Sequence, residues 1–302
     1  MSEMLFSQVC HSYVPMAIAT FKSLEKAWLQ PRRLNLLEDG TVTASDWEQF
    51  HAAFPTAVFH RKPELKGRIE QFLSKNAACL AFYRSNVFGP KLFEPPFLSD
   101  GDCHYCDCDM LFFRRLKRLY PLTPGLVFLG ELAQDTFGGV CHSMFDWVIR
   151  YRIPLARNVN GGIYRIPSGF QDLDKIEWFL KRSKNAARPM LIEQTCWAFL
   201  LANEPHRLIA PEEVLSTKDM LPKENFPPVI HFIANQKQQF WKFAALVDKA
   251  LEREPIDELR TVQGRRVEWS SITAQIASGF RRRAASAISL KSRRRIGAGL
   301  ER

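Results

Sequence analysis

The chain of 302 residues is long enough for one large core or two small ones, and its 46% hydrophobic and 12% aromatic content excludes a disordered polypeptide. Its net charge of +10 is concentrated at one end: residues 260–302 carry eleven Lys and Arg against Glu268 and Glu301, so the rest of the chain is close to neutral. Basic character therefore belongs to a tail and says little about the body, and no nucleic acid partner is expected. The start, Met1-Ser2-Glu3-Met4, lacks a basic region, and the apolar run Val14–Phe21 is too short to span a bilayer. Seven cysteines, an odd count, without an export signal suggest free thiols in a reducing, cytoplasmic setting.

Met4–Val9 predicts a first strand, and Val14–Trp28 a helix with Ala17, Ile18, Phe21, Leu24 and Trp28 at helical spacing. The loop between them, Cys10-His11-Ser12-Tyr13, falls at the carboxyl end of that strand, where open α/β sheets bind nucleotides. Tyr13 can stack on a base and Ser12 can bond a phosphate or ribose; an ordinary connecting loop would read the same way. No Gly-x-Gly-x-x-Gly is present, which disfavours a dinucleotide fold of that type. Leu34–Leu37 is a short strand closed by the turn signal Glu38-Asp39-Gly40. Thr43 or Ser45 with Glu48 predicts a helix start running to Phe54. Thr56–Phe59 reads as a third strand and Pro63–Ser74 as a helix whose apolar face is Leu65, Ile69, Phe72 and Leu73. Strand and helix alternating at this spacing predict a parallel sheet. Asn76–Pro96 is aromatic-rich and ends in Pro95-Pro96.

The segment Cys103-His104-Tyr105-Cys106-Asp107-Cys108-Asp109-Met110-Leu111-Phe112-Phe113 carries the chemistry. It is an apolar strand pattern interrupted by two carboxylates one residue apart. In an extended strand Asp107 and Asp109 point to the same face. Two hard oxygen donors at a strand end suit Mg²⁺ or Mn²⁺ carrying a diphosphate, and unpaired acids in a buried strand are otherwise costly. A solvated strand end is the plain alternative. The other two Asp-x-Asp pairs read differently: Asp100-Gly101-Asp102 as a turn, and Asp172-Leu173-Asp174 as the capped start of a helix. Arg114-Arg115-Leu116-Lys117-Arg118 reads as a solvated face that could also add favourable field to a phosphate site.

Leu126–Leu129 is another strand, and Gln134–Val140 is loop-like. Arg157-Asn158-Val159-Asn160-Gly161-Gly162-Ile163-Tyr164 follows, with an Asn that can donate and accept and glycines that let a ligand approach the backbone; an Asn-Gly hairpin turn is the alternative. Asp172–Arg182 is helical, as is Met190–Leu201, which carries Glu193 and Gln194 near its start. Arg207–Ala210 is a short strand; in Val229-Ile230-His231-Phe232-Ile233-Ala234-Asn235-Gln236-Lys237 the neutral imidazole of His231 is a reasonable third ligand beside the two acids, with a satisfied core histidine as the alternative.

These motifs, in this order, resemble GT-A fold nucleotide-sugar glycosyltransferases, retaining family 8 in particular, over about residues 4–245. The resemblance rests on Tyr105–Arg115, on Asn160-Gly161-Gly162, on Glu193-Gln194, and on His231 with Lys237. It implies an α/β fold, a Rossmann-like mixed sheet flanked by helices over 1–245, followed by a helical, basic appendix at 246–302. It implies a Mn²⁺ or Mg²⁺ cofactor held by Asp107, Asp109 and His231. Donor binding falls to His11, Ser12, Tyr13, Asp39, Lys91, Asp107, Gly161 and Lys237, with Arg84 a further cation of that region. Asn160, Glu193 and Gln194 would line the place where donor and acceptor meet. The implied reaction moves a sugar from a UDP-sugar to a hydroxyl of a growing polysaccharide or lipid-linked glycan, with retention. This chain departs from the family pattern in three places. Glu193 stands where Asp is usual, Ala234 where Gly is usual, and Lys237-Gln238-Gln239 replaces Lys-Pro-Trp, with Trp241 later.

Rival readings come from the same residues. Cys103-x-x-Cys106-x-Cys108 with His104 offers zinc ligands, although strand alternation separates Cys103 from the other two. The basic tail could contact nucleic acid, or dock peripherally on an anionic membrane surface through residues 260–302. A nucleotidyltransferase would share the metal logic but lacks its Gly-rich amino-terminal loop here.

Overall fold

A computed structural model describes residues 3–30, 32–120, 125–130, 140–143, 153–215 and 226–268. The chain divides into a compact unit, Met1–Arg265, and a second, Arg266–Arg302. The basic appendix and its membrane-docking expectation fall mainly on residues 269–302, outside the described residues, as does most of the loop expected at 134–140.

The first unit is built on an eight-stranded mixed sheet with the order β11-β8-β6-β7-β4-β1-β2-β3. Its strands are β1 (Glu3–Val9), β2 (Arg32–Glu38), β3 (Val58–His60), β4 (Cys103–Cys106), β6 (Leu126–Gly130), β7 (Val159–Ile166), β8 (His206–Ile209) and β11 (Thr261–Gln263). β1 pairs in parallel with β2 and β4, and β2 in parallel with β3, as the strand–helix alternation predicts. β7 runs antiparallel to both β4 and β6. A second sheet of three strands, β5 (Met110–Phe112), β10 (Val229–His231) and β9 (Val214–Leu215), has no counterpart in the sequence reading.

Alternation along the strands divides the core in two. Leu5, Val9, Leu36, Cys106, Val127 and Ile163 join one apolar cluster with α1 (Val14–Ala27) and α2 (Ala44–Ala53). Phe6, Tyr105, Phe128 and Tyr164, at the intervening positions, are also fully buried. Against that side pack α5 (Gly89–Leu98), on β1 and β4, and α7 (Ile192–Leu201), on β7; α3 (Lys62–Phe72), α4 (Ala77–Ser85) and α6 (Leu173–Ser183) complete the layer. α2 begins with a capping box between Thr43 and Asp46, not with the Glu48 expected from sequence. Asp172 caps α6 by accepting from the Lys175 N–H, as expected.

Two helices lie where the sequence showed only aromatic residues. α4 and α5 occupy 77–98, and α5 carries Pro95 and Pro96 in its last turns. Each proline lacks the N–H that would bond four residues back, which frees the carbonyls of Lys91 and Leu92. The Tyr164 hydroxyl donates to the first at 3.3 Å and the Gln171 amide to the second at 2.8 Å. The helix survives its prolines because side chains from elsewhere replace the missing donors.

Residues 246–265, assigned from sequence to the appendix, lie within the compact unit. They contribute α9 (Val247–Ala250), just after α8 (Phe240–Ala244), and the edge strand β11, with Val247, Leu251 and Leu259 buried. The Arg114–Arg118 segment docks on this stretch. Arg118 pairs with Glu258 at 3.3 Å and Lys117 with Asp257 at 2.8 Å. Lys117 and Arg118 are met by acids beside them, and Arg114 donates to the Glu254 carbonyl at 2.7 Å, so the idea that these three add field to a phosphate site is set aside.

Candidate active site

The carboxyl ends of β1, β2 and β4 lie side by side, because the three strands are parallel neighbours. Their loops carry His11–Tyr13, Asp39 and Asp107–Asp109. The two aspartates are not in a strand, as the sequence reading had them. β4 stops at Cys106, and the chain crosses from the large sheet to the small one before β5 begins at Met110. The backbone is held through the crossing by Asp107 N–H to Gly162 O at 2.7 Å and Phe232 N–H to Asp109 O at 2.9 Å. That second bond brings β10, and so His231, to the acids.

The His231 Nε2 lies 3.2 Å from Asp109 Oδ1 and 3.7 Å from Asp107 Oδ2. One ligand atom from each of the three residues falls within 4.8 Å of the others, and among the described residues this is the grouping that could hold a metal. His231 Nδ1 is buried without a hydrogen bond, and Asp109 Oδ1, also buried, has the His231 ring edge beside it at 3.2 Å without a well-formed hydrogen bond. A buried carboxylate oxygen left in this state is costly unless something else meets it, and two carboxylates with an imidazole suit a divalent cation. Among the described residues the cysteines do not form a rival centre: Cys103, Cys106 and Cys108 lie outside that grouping, and burial pushes Cys103 and Cys108 well above the ordinary thiol range.

Two lysines flank the acids. Lys91 Nζ, from α5, reaches both oxygens of Asp107 at 2.8 and 3.0 Å. Lys237 Nζ lies 2.8 Å from Asp109 Oδ2 and 4.1 Å over the Tyr13 ring. Burial works against the Lys91 ammonium, but Asp107 and Glu193 outweigh it and raise its pKa; for Lys237, Asp109 likewise overcomes burial. Burial alone would raise the Asp109 carboxyl, yet His231 and Lys237 hold it well below the usual carboxylate range. Arg84 belongs elsewhere, in a two-point pair with Glu70 at 2.9 and 2.8 Å.

Asn160, Gly161 and Gly162 lie inside β7, so the hairpin-turn alternative does not apply. The pairing of β7 with β6 skips here: Phe128 faces Tyr164 while Leu129 faces Asn160. Gly161, Gly162 and Ile163 are the unmatched residues of this bulge. A Cβ on Gly161 would sit 2.7 Å from Glu193 Oε1, and one on Gly162 would sit 2.7 Å from His231 Cε1. The two glycines thus make room for Glu193 and His231, where the sequence reading had left the space at Gly161 to a sugar. Asn160 Oδ1 accepts from the Gly162 N–H at 2.7 Å, so its carbonyl is spent within the bulge.

Glu193 is buried at the start of α7, and Trp197 one turn on donates to its Oε1 at 2.7 Å. Burial raises this carboxyl, with Lys91 partly offsetting the effect. Gln194, the next residue, is half-buried. On the other side of the parallel strands the loops are tied among themselves. Thr41 donates to Asp39 Oδ1 through its N–H at 2.9 Å and its hydroxyl at 2.6 Å, and its Oγ1 accepts from the His11 N–H at 2.9 Å. The His11 ring lies 2.7 Å from Asp46, and Ser12 is exposed. The structure therefore joins Tyr13, Lys91, Asp107, Asp109, Gly161, Glu193, His231 and Lys237, and holds His11 with Asp39 through Thr41.

Sequence reasoning passed over Tyr105 and Trp197. The Tyr105 hydroxyl donates to Asp107 Oδ1 at 3.0 Å. Trp197 was visible as a spacing, four residues after an acid in a helix; Tyr105 lies on β4, two residues before an acid that follows the strand's end.

No family model and no curated protein matches the chain. Solved structures do. An active-site mutant of LgtC is similar over 83% of this chain and 97% of its own, with 14% identity and a TM-score of 0.50. Mouse xyloside xylosyltransferase 1 in its apo form is similar over 78% of this chain and 98% of its own, with 9% identity and a TM-score of 0.51. The fold is that of the GT-A glycosyltransferases.

Proposed function

We propose that the protein is a metal-dependent glycosyltransferase that moves a sugar from a nucleotide-diphospho-sugar, a UDP-sugar, to a hydroxyl of a glycan or lipid-linked acceptor. The observation that carries this reading is the convergence of Asp107, Asp109 and His231 at the carboxyl edge of the sheet, with a lysine on each side. The GT-A fold is consistent with it.

A Mn²⁺ or Mg²⁺ ion on Asp107, Asp109 and His231 would supply Lewis-acid stabilisation of the diphosphate leaving group. Lys91 and Lys237 pair with the two aspartates here, and they are placed to turn to diphosphate oxygens as negative charge arrives. Tyr13, with Lys237 over its ring, is the residue of the first loop placed for a base or ribose; His11, Ser12 and Asp39 border it. Glu193, Gln194 and Asn160 hold the donor sugar and acceptor hydroxyl in line. Retention is proposed on the resemblance to family 8, with Glu193 as the carboxylate on the sugar side.

Among the described residues no helix is long and apolar enough to cross a membrane. The cationic stretch 260–302 supports peripheral docking on the anionic cytoplasmic face of a membrane, at about 1 kcal/mol per cation near the lipid. Removing residues after Glu268, which spares the compact unit, is expected to release the protein from anionic vesicles in a sedimentation assay; retained binding would end the tail's role.

The test of the main reading is UDP release from the full chain with a panel of UDP-sugars. Mn²⁺ should support it, EDTA should stop it, and added Mn²⁺ should restore it. Absence of metal-dependent nucleotide release across UDP-, GDP- and TDP-sugars with glycan acceptors would overturn it.

A further inference from the structure

Three buried aromatic rings run between Glu193 and Asp107. Trp197 and Tyr164 have ring centroids 5.3 Å apart, and Tyr164 stacks on Tyr105 at 4.9 Å with 10° between planes. None of the three is more than 1% exposed. An aromatic core needs no polar atoms, and Phe128, packed on Trp197 and Tyr164, has none. Each of the other three rings carries one polar atom, and each places it on a site residue. The Trp197 indole N–H holds Glu193 Oε1, the Tyr105 hydroxyl holds Asp107 Oδ1, and the Tyr164 hydroxyl holds the Lys91 carbonyl that Pro95 leaves free. Lys91 in turn grips Asp107 through its ammonium.

We infer that the column Trp197–Tyr164–Tyr105 is a positioning element that sets the separation and orientation of Glu193 relative to Asp107. Tyr105 and Tyr164 are stacked and Trp197 is tilted against Tyr164; rings in van der Waals contact resist compression, and side chains in a close-packed interior sit in single rotamers, which fixes them laterally. The column therefore transmits a fixed distance between an acid on α7 and an acid at the end of β4, which sit on different layers of the fold. Tyr164, on the strand between them, adds the third anchor by setting the height of α5. None of the three rings touches the reacting atoms; they act through Glu193, Lys91 and Asp107. The roles of those residues rest on the functional reading above, whereas the column's grip on them is geometry.

The experiment uses the full chain with Trp197→Phe, Tyr105→Phe and Tyr164→Leu. Trp197→Phe keeps a ring and removes the indole N–H; kcat is expected to fall about tenfold or more while donor KM and Mn²⁺ affinity stay within twofold. Tyr105→Phe removes the hydroxyl at Asp107; Mn²⁺ binding, titrated calorimetrically without donor, is expected to weaken by about 10- to 100-fold. Tyr164→Leu leaves both terminal hydrogen-bonding groups in place and takes out the middle ring; kcat and Mn²⁺ affinity should then fall together. Wild-type kcat in Trp197→Phe or wild-type Mn²⁺ affinity in Tyr105→Phe overturns the proposal. So does a Trp197→Phe in which KM, Mn²⁺ affinity and melting temperature all move with kcat, because that is a defect of folding. If the wild type transfers no sugar, the functional reading falls, and the Mn²⁺ titration of Tyr105→Phe still decides the column at its Asp107 end.

Discussion

Helix α5 contributes to two buried ionic clusters, three residues apart. Lys91 enters the candidate metal site, and Glu94 enters a second cluster. Its Oε1 takes the Lys62 ammonium at 2.9 Å and the Tyr83 hydroxyl at 2.8 Å, with the Lys62 Nζ also 4.4 Å over the Tyr83 ring. Nearby Glu38 accepts from the Lys62 N–H and the Trp47 indole. Both clusters bury carboxylates with lysines, so burial and charge do not tell them apart. What differs is where the oxygens point. In the second cluster Lys62 bonds both acids, one through its ammonium and the other through its backbone. In the first, two acids and an imidazole aim at one small volume, with the lysines outside it. A buried ion pair is weak evidence for function; convergence of donors on a shared point is stronger.

That contrast can be broken experimentally, beginning with the largest effect. Asp109→Asn should lower metal-dependent transfer at least about a hundredfold and abolish calorimetric Mn²⁺ binding; the melting temperature should also fall, because His231 and Lys237 lose a charged partner, but the variant should still unfold in one cooperative step. Lys62→Met should do the reverse, destabilising the protein by about 3–5 kcal/mol in urea titration through the stranded Glu94, with Mn²⁺ affinity kept. Gly162→Ala should fall between: overpacking against His231 and Met110 costs about 1–3 kcal/mol and moves the imidazole, so stability and Mn²⁺ affinity should drop together. The last effect is absent at neutral pH and appears only on acidification; it concerns His104, a buried imidazole in neither cluster, whose pKa burial and Arg165 lower to about 4. Between the ordinary value of 6.5 and about 4 the unfolded chain binds a proton that the folded chain refuses. Its contribution to stability is full above that window and is lost as pH falls through it, by up to about 1.4 kcal/mol per unit. His104→Phe should flatten the pH dependence of unfolding over that window; an unchanged slope would assign it to other groups.

The parallel half of the sheet was legible because its strands and helices alternate with clear periods. Met4–Val9, Val14–Trp28, Leu34–Leu37 and Pro63–Ser74 each match an element to within about two residues. The site's acids, imidazole and lysines were also legible, since their chemistry is costly to bury without purpose. Three things were not. The crossing between sheets at Asp107–Asp109 looks in sequence like one continuous strand, because residues on both sides are apolar and the break is set by pairing with distant β7 and β10. The glycines of β7 read as room for a ligand, because the Glu193 carboxylate that fills Gly161's space comes from a helix 32 residues further along the chain. And α5 was hidden by its prolines, since the donors that compensate for them, Tyr164 and Gln171, lie far along the chain.

Those prolines have a consequence for how Lys91 keeps its place. In an ordinary helix the backbone groups are satisfied internally, so only side-chain packing sets its phase along the axis. α5 has two open sockets on one side, the carbonyls of Lys91 and Leu92, and each is plugged by a particular side chain. Sliding by one residue would unplug both at once, so the helix is keyed to a single phase. The residues that a sequence reader takes for breakers are what make the helix a reliable mount for a lysine aimed at an aspartate.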